Sequence, residues 1–265
     1  MGTLHPALPD RPSPRGKCAS LFVTCIADVF YPHTGMSVVK LLEYLGIEVG
    51  FPPGQTCCGQ PAFNTGYWRE ARKVARQFLK TFQDSDVIVA PSGSCVAMVR
   101  CEFPRLFKDD PWLELANQVA SRTWEFTEYI VDGLGITDLH LEFSEPRTFA
   151  FHDSCHGLRL LGLGSAARAL LGNVRNAALY DLAEHDECCG FGGTFSVKMA
   201  DVSGAMLRRK LDNINACPAD TIVMGDLSCM AQINGGLSRQ GSSKRARHIA
   251  DVLANGLVEG RMYEG

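Results

Sequence analysis

The sequence lacks the features that mark a membrane-spanning, secreted or nucleic-acid-binding protein. We find no run of about 18 apolar residues, so no transmembrane helix and no direct membrane insertion are predicted. Lysine and arginine number 26 against 29 acidic residues, a formal net charge of −3, so no basic excess favours nucleic acid. Residues 1–16 contain four prolines and no apolar run. They predict a disordered leader instead of a signal peptide, and we expect a cytoplasmic protein.

Nucleotide-binding motifs are missing as well. The glycine-rich segment 189–194 does not have the Gly-x-Gly-x-x-Gly spacing, and no Gly-Lys-Ser/Thr follows it. Close packing explains these glycines better than a phosphate-binding loop. The short basic run 244–247 is interpreted as one face of a solvated helix.

Cysteine is the residue that the sequence has in excess. The chain has 11 cysteines, an odd number, and two pairs are adjacent, Cys57-Cys58 and Cys188-Cys189. A disulfide framework is not expected in a protein without an export signal, and neighbouring cysteines rarely bridge each other. The cysteines therefore indicate binding of a metal or an iron–sulfur cluster.

The cysteines recur at a nearly constant offset, which predicts an internal duplication. The matching pairs are Cys25 and Cys155, Cys57 and Cys188, and Cys95 and Cys229, which lie 130, 131 and 134 positions apart. The word Cys-Cys-Gly occurs once in each half, at 57–59 and at 188–190.

Alternating strand and helix patterns predict an α/β fold with two pseudo-symmetric Rossmann-like units, each a small, mostly parallel sheet flanked by helices. The first half predicts strands over 20–26, 47–51 and 87–90 and helices over 35–45, 64–82, 93–106 and 112–131. The second half predicts strands over 148–152, 178–182 and 221–224 and helices over 166–171, 196–215 and 228–237. We place the first domain at 17–140 and the second at 141–265. Sites in such sheets form at the carboxyl ends of the strands, where distant cysteines converge.

Each half offers four thiolates, the usual number for one iron–sulfur cluster. The predicted ligands are Cys25, Cys57, Cys58, Cys95, Cys155, Cys188, Cys189 and Cys229. Gly59 and Gly190 let the backbone pass close to a bulky inorganic core and permit a positive φ. His156 is predicted to support the second set as a hydrogen-bond donor or proton carrier, whereas His152 is expected to end a buried strand.

Three cysteines, Cys18, Cys101 and Cys217, have no partner in the repeat. Free cysteine behaves as a small hydrophobe, so each of the three is predicted to be buried and not to bind metal.

Four short sequence motifs carry a family resemblance: residues 90–95, 152–156, 188–193 and 225–229. They resemble the duplicated cysteine-rich CCG domain family, which includes the cysteine-rich subunit of heterodisulfide reductase and the iron–sulfur subunit of glycolate oxidase. They are most similar to its lactate-utilisation branch. The resemblance implies an iron–sulfur electron-transfer subunit that works with companion subunits in a complex oxidising L-lactate to pyruvate. It implies a non-autonomous part of an oxidoreductase and assigns no catalytic residue.

The sequence departs from the heterodisulfide reductase pattern, which ends each motif with Cys-x-x-Cys. Ser92 and Asp226 stand three positions before the last cysteine of each set, and no cysteine stands three positions after it. Four thiolates per half fit an ordinary [4Fe–4S] cluster, one or two per chain, or Zn²⁺. Two alternatives stay open: a zinc-stabilised binding or assembly module, and the iron–sulfur subunit of a related glycolate oxidase.

Overall fold

The computed structural model describes residues 18–257 together with Arg11 and Pro14. The predicted leader lies outside the described residues except for these two. Arg11 pairs with Glu128 at 2.6 Å between Nη1 and Oε1, and Pro14 is buried. Among the helices within residues 18–257, none has both the length and the apolar character needed to cross a bilayer.

The first unit is a parallel sheet of four strands in the order β2-β1-β3-β4, flanked by helices. Its strands are β1 (Ala19–Leu21), β2 (Val49–Gly50), β3 (Val87–Ala90) and β4 (Thr123–Glu125). Its helices are α1 (Cys25–Phe30), α2 (Pro32–Tyr44), α3 (Gln60–Asn64), α4 (Trp68–Phe82), α5 (Gly93–Ala97), α6 (Phe103–Leu106), α7 (Leu113–Arg122) and α8 (Phe126–Glu128). Two π-helical turns, Met98–Glu102 and Tyr129–Gly133, extend α5 and α8.

The second unit repeats this arrangement in a parallel sheet with the order β6-β5-β7-β8. Its strands are β5 (Glu142–Phe151), β6 (Arg175–Tyr180), β7 (Thr221–Met224) and β8 (Arg245–His248). Its helices are α9 (Cys155–Leu161), α10 (Ala166–Gly172), α11 (Phe195–Lys198), α12 (Ala200–Ala216), α13 (Leu227–Arg239) and α14 (Ile249–Ala254). The predicted fold of two similar α/β units is confirmed.

Strand register reproduces the offsets of the cysteine repeat. Ala19 pairs with Val87 in the first sheet, and Phe149 pairs with Thr221 in the second. Phe149 follows Ala19 by 130 positions and Thr221 follows Val87 by 134, the offsets of the first and last cysteines. In both sheets the strand order reverses between these two central strands, and parallel sheets place their sites at the carboxyl side of such a reversal.

One of the hydrophobic clusters of the core contains residues of both units. Strand β3 is buried on both faces, because Val87 and Val89 pack on one side and Ile88 and Ala90 on the other. The cluster that contains Val89 also contains Val223 of β7, so the two units pack directly against each other.

Three local predictions are wrong. The first strand ends at Leu21, and Cys25 begins a helix instead of lying within a strand. The predicted helix over 112–131 is interrupted after Arg122, because β4 begins at Thr123. Most of the basic run 244–247 lies in strand β8, which begins at Arg245, instead of in a helix. Exposed and buried residues alternate from Arg245 to His248, which suits an edge strand.

Candidate metal centre

All eight predicted ligands line one cavity of about 370 Å³ between the two units. The first quartet is Cys25, Cys57, Cys58 and Cys95, and the second quartet is Cys155, Cys188, Cys189 and Cys229. The repeat predicts one ligand set per half. The structure adds that both sets open onto the same space at the carboxyl ends of the central strands.

Helix starts place the first and last cysteine of each quartet. Cys25 and Cys155 are the first residues of α1 and α9. Cys95 lies in the first turn of α5, where Ser92 Oγ accepts a hydrogen bond from its backbone N–H at 3.3 Å. Cys229 lies in the first turn of α13, which the Asp226 side chain caps. The start of a helix therefore fixes the position of each of these four thiols at the cavity.

The Cys-Cys-Gly loops bring backbone donors to the middle sulfurs. The N–H of Gly59 donates to Cys57 Sγ at 3.4 Å, and that of Gly190 donates to Cys188 Sγ at 3.4 Å. Both glycines have a φ of +85°, in the left-handed region that favours glycine. Gly59 and Gly190 are not among the described residues that line the cavity, but they hold the neighbouring cysteines that do.

The sulfur atoms of the first quartet form two close pairs. Cys25 Sγ lies 3.6 Å from Cys57 Sγ, and Cys58 Sγ lies 3.6 Å from Cys95 Sγ. Hydrogen bonds from Cys25 and then from Cys58 lower the pKa of Cys57 to about 3. The first quartet therefore holds a thiolate at neutral pH, the form that binds metal.

The second quartet has the same electrostatic pattern. Hydrogen bonds from Cys155 and then from Cys189 hold the pKa of Cys188 well below its usual range. A central thiolate between two thiol donors therefore occurs in both quartets, as the duplication predicts.

Two histidines approach the second quartet in different ways. His156 lines the cavity, and its Nδ1 lies 3.5 Å from Cys155 Sγ. His152 is fully buried, and one of its ring nitrogens lies with the sulfurs of Cys189 and Cys229 in a group whose atoms are all within 4.8 Å of one another. Burial lowers the pKa of His152 to about 4, so the ring is neutral at pH 7.

The sequence predicts His156 as the supporting histidine and does not reveal that His152 lies close to two cysteines. His152 follows the buried end of β5, which predicts burial. Its side chain reaches Cys189 and Cys229 only because the loop after β6 and the start of α13 fold back beside it. Those contacts are long-range, and no local pattern reports them.

The three unpaired cysteines lie away from the cavity in the described part of the chain. Cys101 and Cys217 are buried as predicted, and their thiols face the carbonyl oxygens of Leu160 at 3.8 Å and Asp181 at 3.7 Å. The prediction of burial is wrong for Cys18, which is exposed immediately before β1.

A polar contact that the sequence did not reveal joins the two ligand sets. Asp226 Oδ2 accepts a hydrogen bond from the N–H of Ser94 in the other unit at 2.8 Å. Its Oδ1 accepts from the N–H of Ser228 in its own unit at 3.1 Å. Ser92 and Asp226, equivalent positions in the repeat, also form an isolated antiparallel bridge. These positions therefore hold the units in register beside the cysteines.

The donor set fits a soft or borderline metal. Eight cysteine sulfurs and a buried imidazole suit zinc or an iron–sulfur cluster, whereas Mg²⁺ and Ca²⁺ prefer oxygen ligands. Among the described residues, Asp226 is the one carboxylate that lines the cavity, and it already accepts hydrogen bonds from the backbone N–H groups of Ser94 and Ser228.

Comparisons with known proteins find relatives along nearly the whole chain. The profile of the CCG family, described as a cysteine-rich domain, matches residues 19–100 and 149–234. The lactate utilization protein A of an Exiguobacterium species is 48% identical over 243 residues, which cover 91% of this chain and 98% of that protein. The lactate utilization protein A of Bacillus subtilis is 44% identical over 88% of this chain and 98% of its own length.

A solved structure shares the fold. A hypothetical protein from Helicobacter pylori superposes with a TM-score of 0.60 and 12% identity. The match covers 98% of this chain and 52% of that protein, so this chain spans about half its length.

Proposed function

Because this chain belongs to the cysteine-rich CCG domain family, together with the lactate utilization protein A relatives, we propose that it is an iron–sulfur electron-transfer subunit of a complex that oxidises L-lactate to pyruvate. The convergence of eight cysteines on one cavity carries the proposal. The names of the relatives support lactate as the substrate of the complex.

The first quartet would hold one centre and the second quartet another. A [4Fe–4S] cluster supplies reversible one-electron storage when it is bound by four thiolates. The chain's own contribution is to keep thiolates available and to aim backbone donors at them, as Gly59 does at Cys57 and Gly190 at Cys188. Such hydrogen bonds to sulfur tune the reduction potential. Because both quartets face one cavity, the two centres would be neighbours.

Exposed apolar side chains near the cavity support a role for companion subunits. Val197 of α11 lines the cavity and is 80% exposed. Val29 and Phe30, in the helix that begins with Cys25, are 67% and 66% exposed. Apolar surface of this kind is typical of protein interfaces. In the proposed function this chain passes electrons and leaves substrate oxidation to the assembled complex.

A zinc-stabilised binding or assembly module is the second candidate. It is favoured by one observation, the mixed group of His152, Cys189 and Cys229, since zinc binds thiolate and imidazole together.

Matched cysteine variants test the ligand assignment. Cys189→Ser removes a buried thiol of the second quartet, whereas Cys217→Ser removes a buried thiol that faces a carbonyl oxygen away from the cavity. We expect Cys189→Ser to lose the iron and sulfide of the second centre and Cys217→Ser to keep them. Equal iron content in the two variants would contradict the proposal. Zinc without sulfide in the unmodified protein would favour the second candidate.

Lactate oxidation should require the companion subunits. The purified chain alone, with a dye acceptor, should show no lactate oxidation, and activity should appear when the other proteins of the complex are added. Turnover by this chain alone would contradict the proposed role.

A further inference from the structure

Phe22 and His152 occupy the same position in the two units. The N–H of Phe22 donates to the carbonyl of Val89 at 2.9 Å, and the N–H of His152 donates to that of Val223 at 2.9 Å. The two donors are 130 positions apart and the two acceptors 134, as for the first and last cysteines. The duplicated fold therefore carries an apolar ring behind the first quartet and an imidazole behind the second.

The helix residue next to this position also differs between the units, aromatic in the first and basic in the second. In the first unit Phe22 packs edge-to-face on Phe78 of α4, with ring centroids 4.8 Å apart. The corresponding position in α12 is Lys210, which is 1% exposed.

The alignment of α4 with α12 follows from the helix residues that lie next to Gly59 and Gly190. A Cβ on Gly59 would approach the carbonyl of Ala71, and one on Gly190 would approach that of Ser203, 132 positions further on. The same offset takes Phe78 to Lys210. A buried aromatic pair in one unit is thus a buried pair of nitrogen-bearing side chains in the other, which packing alone does not require.

Hydrogen bonding leaves one nitrogen of His152 free to bind a metal. Its Nδ1 lies 3.0 Å from the carbonyl oxygen of His185, an acceptor, so Nδ1 carries the proton. Its Nε2 then has a lone pair, and it is buried without a hydrogen-bond partner. A histidine that binds metal is ordinarily oriented in this way, by a hydrogen bond from its other ring nitrogen to a carbonyl. Unpaired buried polar atoms are rare and call for an explanation.

We propose that His152 is a nitrogen ligand of the centre at the second quartet, next to Cys189 and Cys229, and that the first centre has no such ligand. The inference rests on the proposed metal-binding function. It makes the two centres chemically different although their cysteines are duplicated.

The asymmetry sets the relative reduction potentials. With the neutral imidazole in place of one of the four thiolates, the second centre would carry less negative charge. Replacing thiolate by histidine raises the potential of an iron–sulfur centre. The positive charge of the buried Lys210 side chain would act in the same direction. The second centre would then have the higher potential and would accept electrons from the first.

Pulsed EPR with nitrogen labelling tests the ligand directly. The full chain is labelled with ¹⁵N-histidine, reconstituted anaerobically with ferrous iron and sulfide, and reduced with dithionite. We expect a ¹⁵N coupling from directly bound nitrogen in the unmodified protein. It should persist in His156→Gln, the control at the histidine beside Cys155, and disappear in His152→Phe, which copies the first unit.

Absence of the coupling from the loaded, unmodified protein, or its persistence in His152→Phe, would overturn the inference and leave the proposed function intact. If His152→Phe does not fold, His152→Cys supplies a sulfur ligand instead. That variant should keep its iron, lose the ¹⁵N coupling and show a lower potential for the second centre. An unchanged coupling in it would also overturn the inference.

Failure of iron and sulfide to load would contradict the proposed function separately. The same proteins would then be loaded with Zn²⁺ and measured by X-ray absorption. A nitrogen in the zinc shell that is lost in His152→Phe supports His152 as a ligand. An all-sulfur shell, or no bound zinc, overturns it.

Discussion

Gly190 and Gly59 are matched residues whose substitution should have unequal effects. Both have a φ of +85°, where a side chain costs about 1 kcal/mol. A Cβ at Gly190 would also lie 2.7 Å from the carbonyl oxygen of Ser203, whereas at Gly59 the nearest atom lies at 3.5 Å. We expect Gly190→Ala to lower the free energy of unfolding by about 1–3 kcal/mol more than Gly59→Ala. Urea unfolding of the two variants measures this, and equal losses would contradict the packing described for the second loop.

Glu125 should make stability depend on pH. Burial raises its pKa from 4.5 to about 7, so the folded protein binds its proton more tightly than the unfolded chain does. The stabilisation from this group is complete below pH 4.5 and is lost as the pH rises through 7. Glu125 Oε2 accepts hydrogen bonds from the N–H of Thr127 at 2.7 Å and from that of Glu128 at 3.1 Å. The variant Glu125→Gln keeps an oxygen that can accept both.

The variant should therefore gain stability over the unmodified protein as the pH rises. The gain in unfolding free energy should reach on the order of 3 kcal/mol at pH 8 and be small at pH 4.5. Urea unfolding at the two pH values measures it, with the exposed Glu43→Gln as a control for removal of charge. A gain that does not change with pH would show that Glu125 is ionised in the folded protein throughout this range.

At the level of helices and strands, the capping residues of α5 and α13 should contribute unequally to the free energy of unfolding. The Asp226 carboxylate accepts hydrogen bonds from backbone N–H groups of both units. Ser92 Oγ accepts the N–H of Cys95 in its own helix and reaches the other unit only through a long hydrogen bond to Asp226 Oδ2, at 3.4 Å. We expect Asp226→Ala to cost about 2–4 kcal/mol of unfolding free energy and Ser92→Ala about 1 kcal/mol. Denaturant unfolding compares them. Equal costs would mean that Asp226 does not join the two units.

Strands and helices with a clear apolar pattern were predictable from the sequence. A strand whose exposed positions carry several charges was not. The apolar run at 87–90 and the helix over 228–237 match β3 and α13. Strand β8 was missed because its basic residues suggested a helix surface, although burial there alternates with period two. An edge strand tolerates such charges because they discourage pairing with other chains.

At the scale of the whole molecule, the sequence predicts two equivalent ligand sets but not their common cavity. The repeat shows that the cysteines of each half converge at the carboxyl ends of parallel strands. How the units face each other depends on the core shared by residues such as Val89 and Val223, and on the contact between Asp226 and Ser94. These are contacts between distant segments. The same limitation hid the approach of His152 to Cys189 and Cys229.

Metal and sulfide analysis of the anaerobically purified chain tests the central claim most directly. Two loaded [4Fe–4S] centres predict about eight irons and eight sulfides per chain, and a single loaded quartet predicts about four of each. The reduced protein should show an iron–sulfur EPR signal, and two neighbouring centres at one cavity should broaden or split it. Iron and sulfide both absent after anaerobic purification and reconstitution would contradict the claim that the two quartets hold iron–sulfur centres.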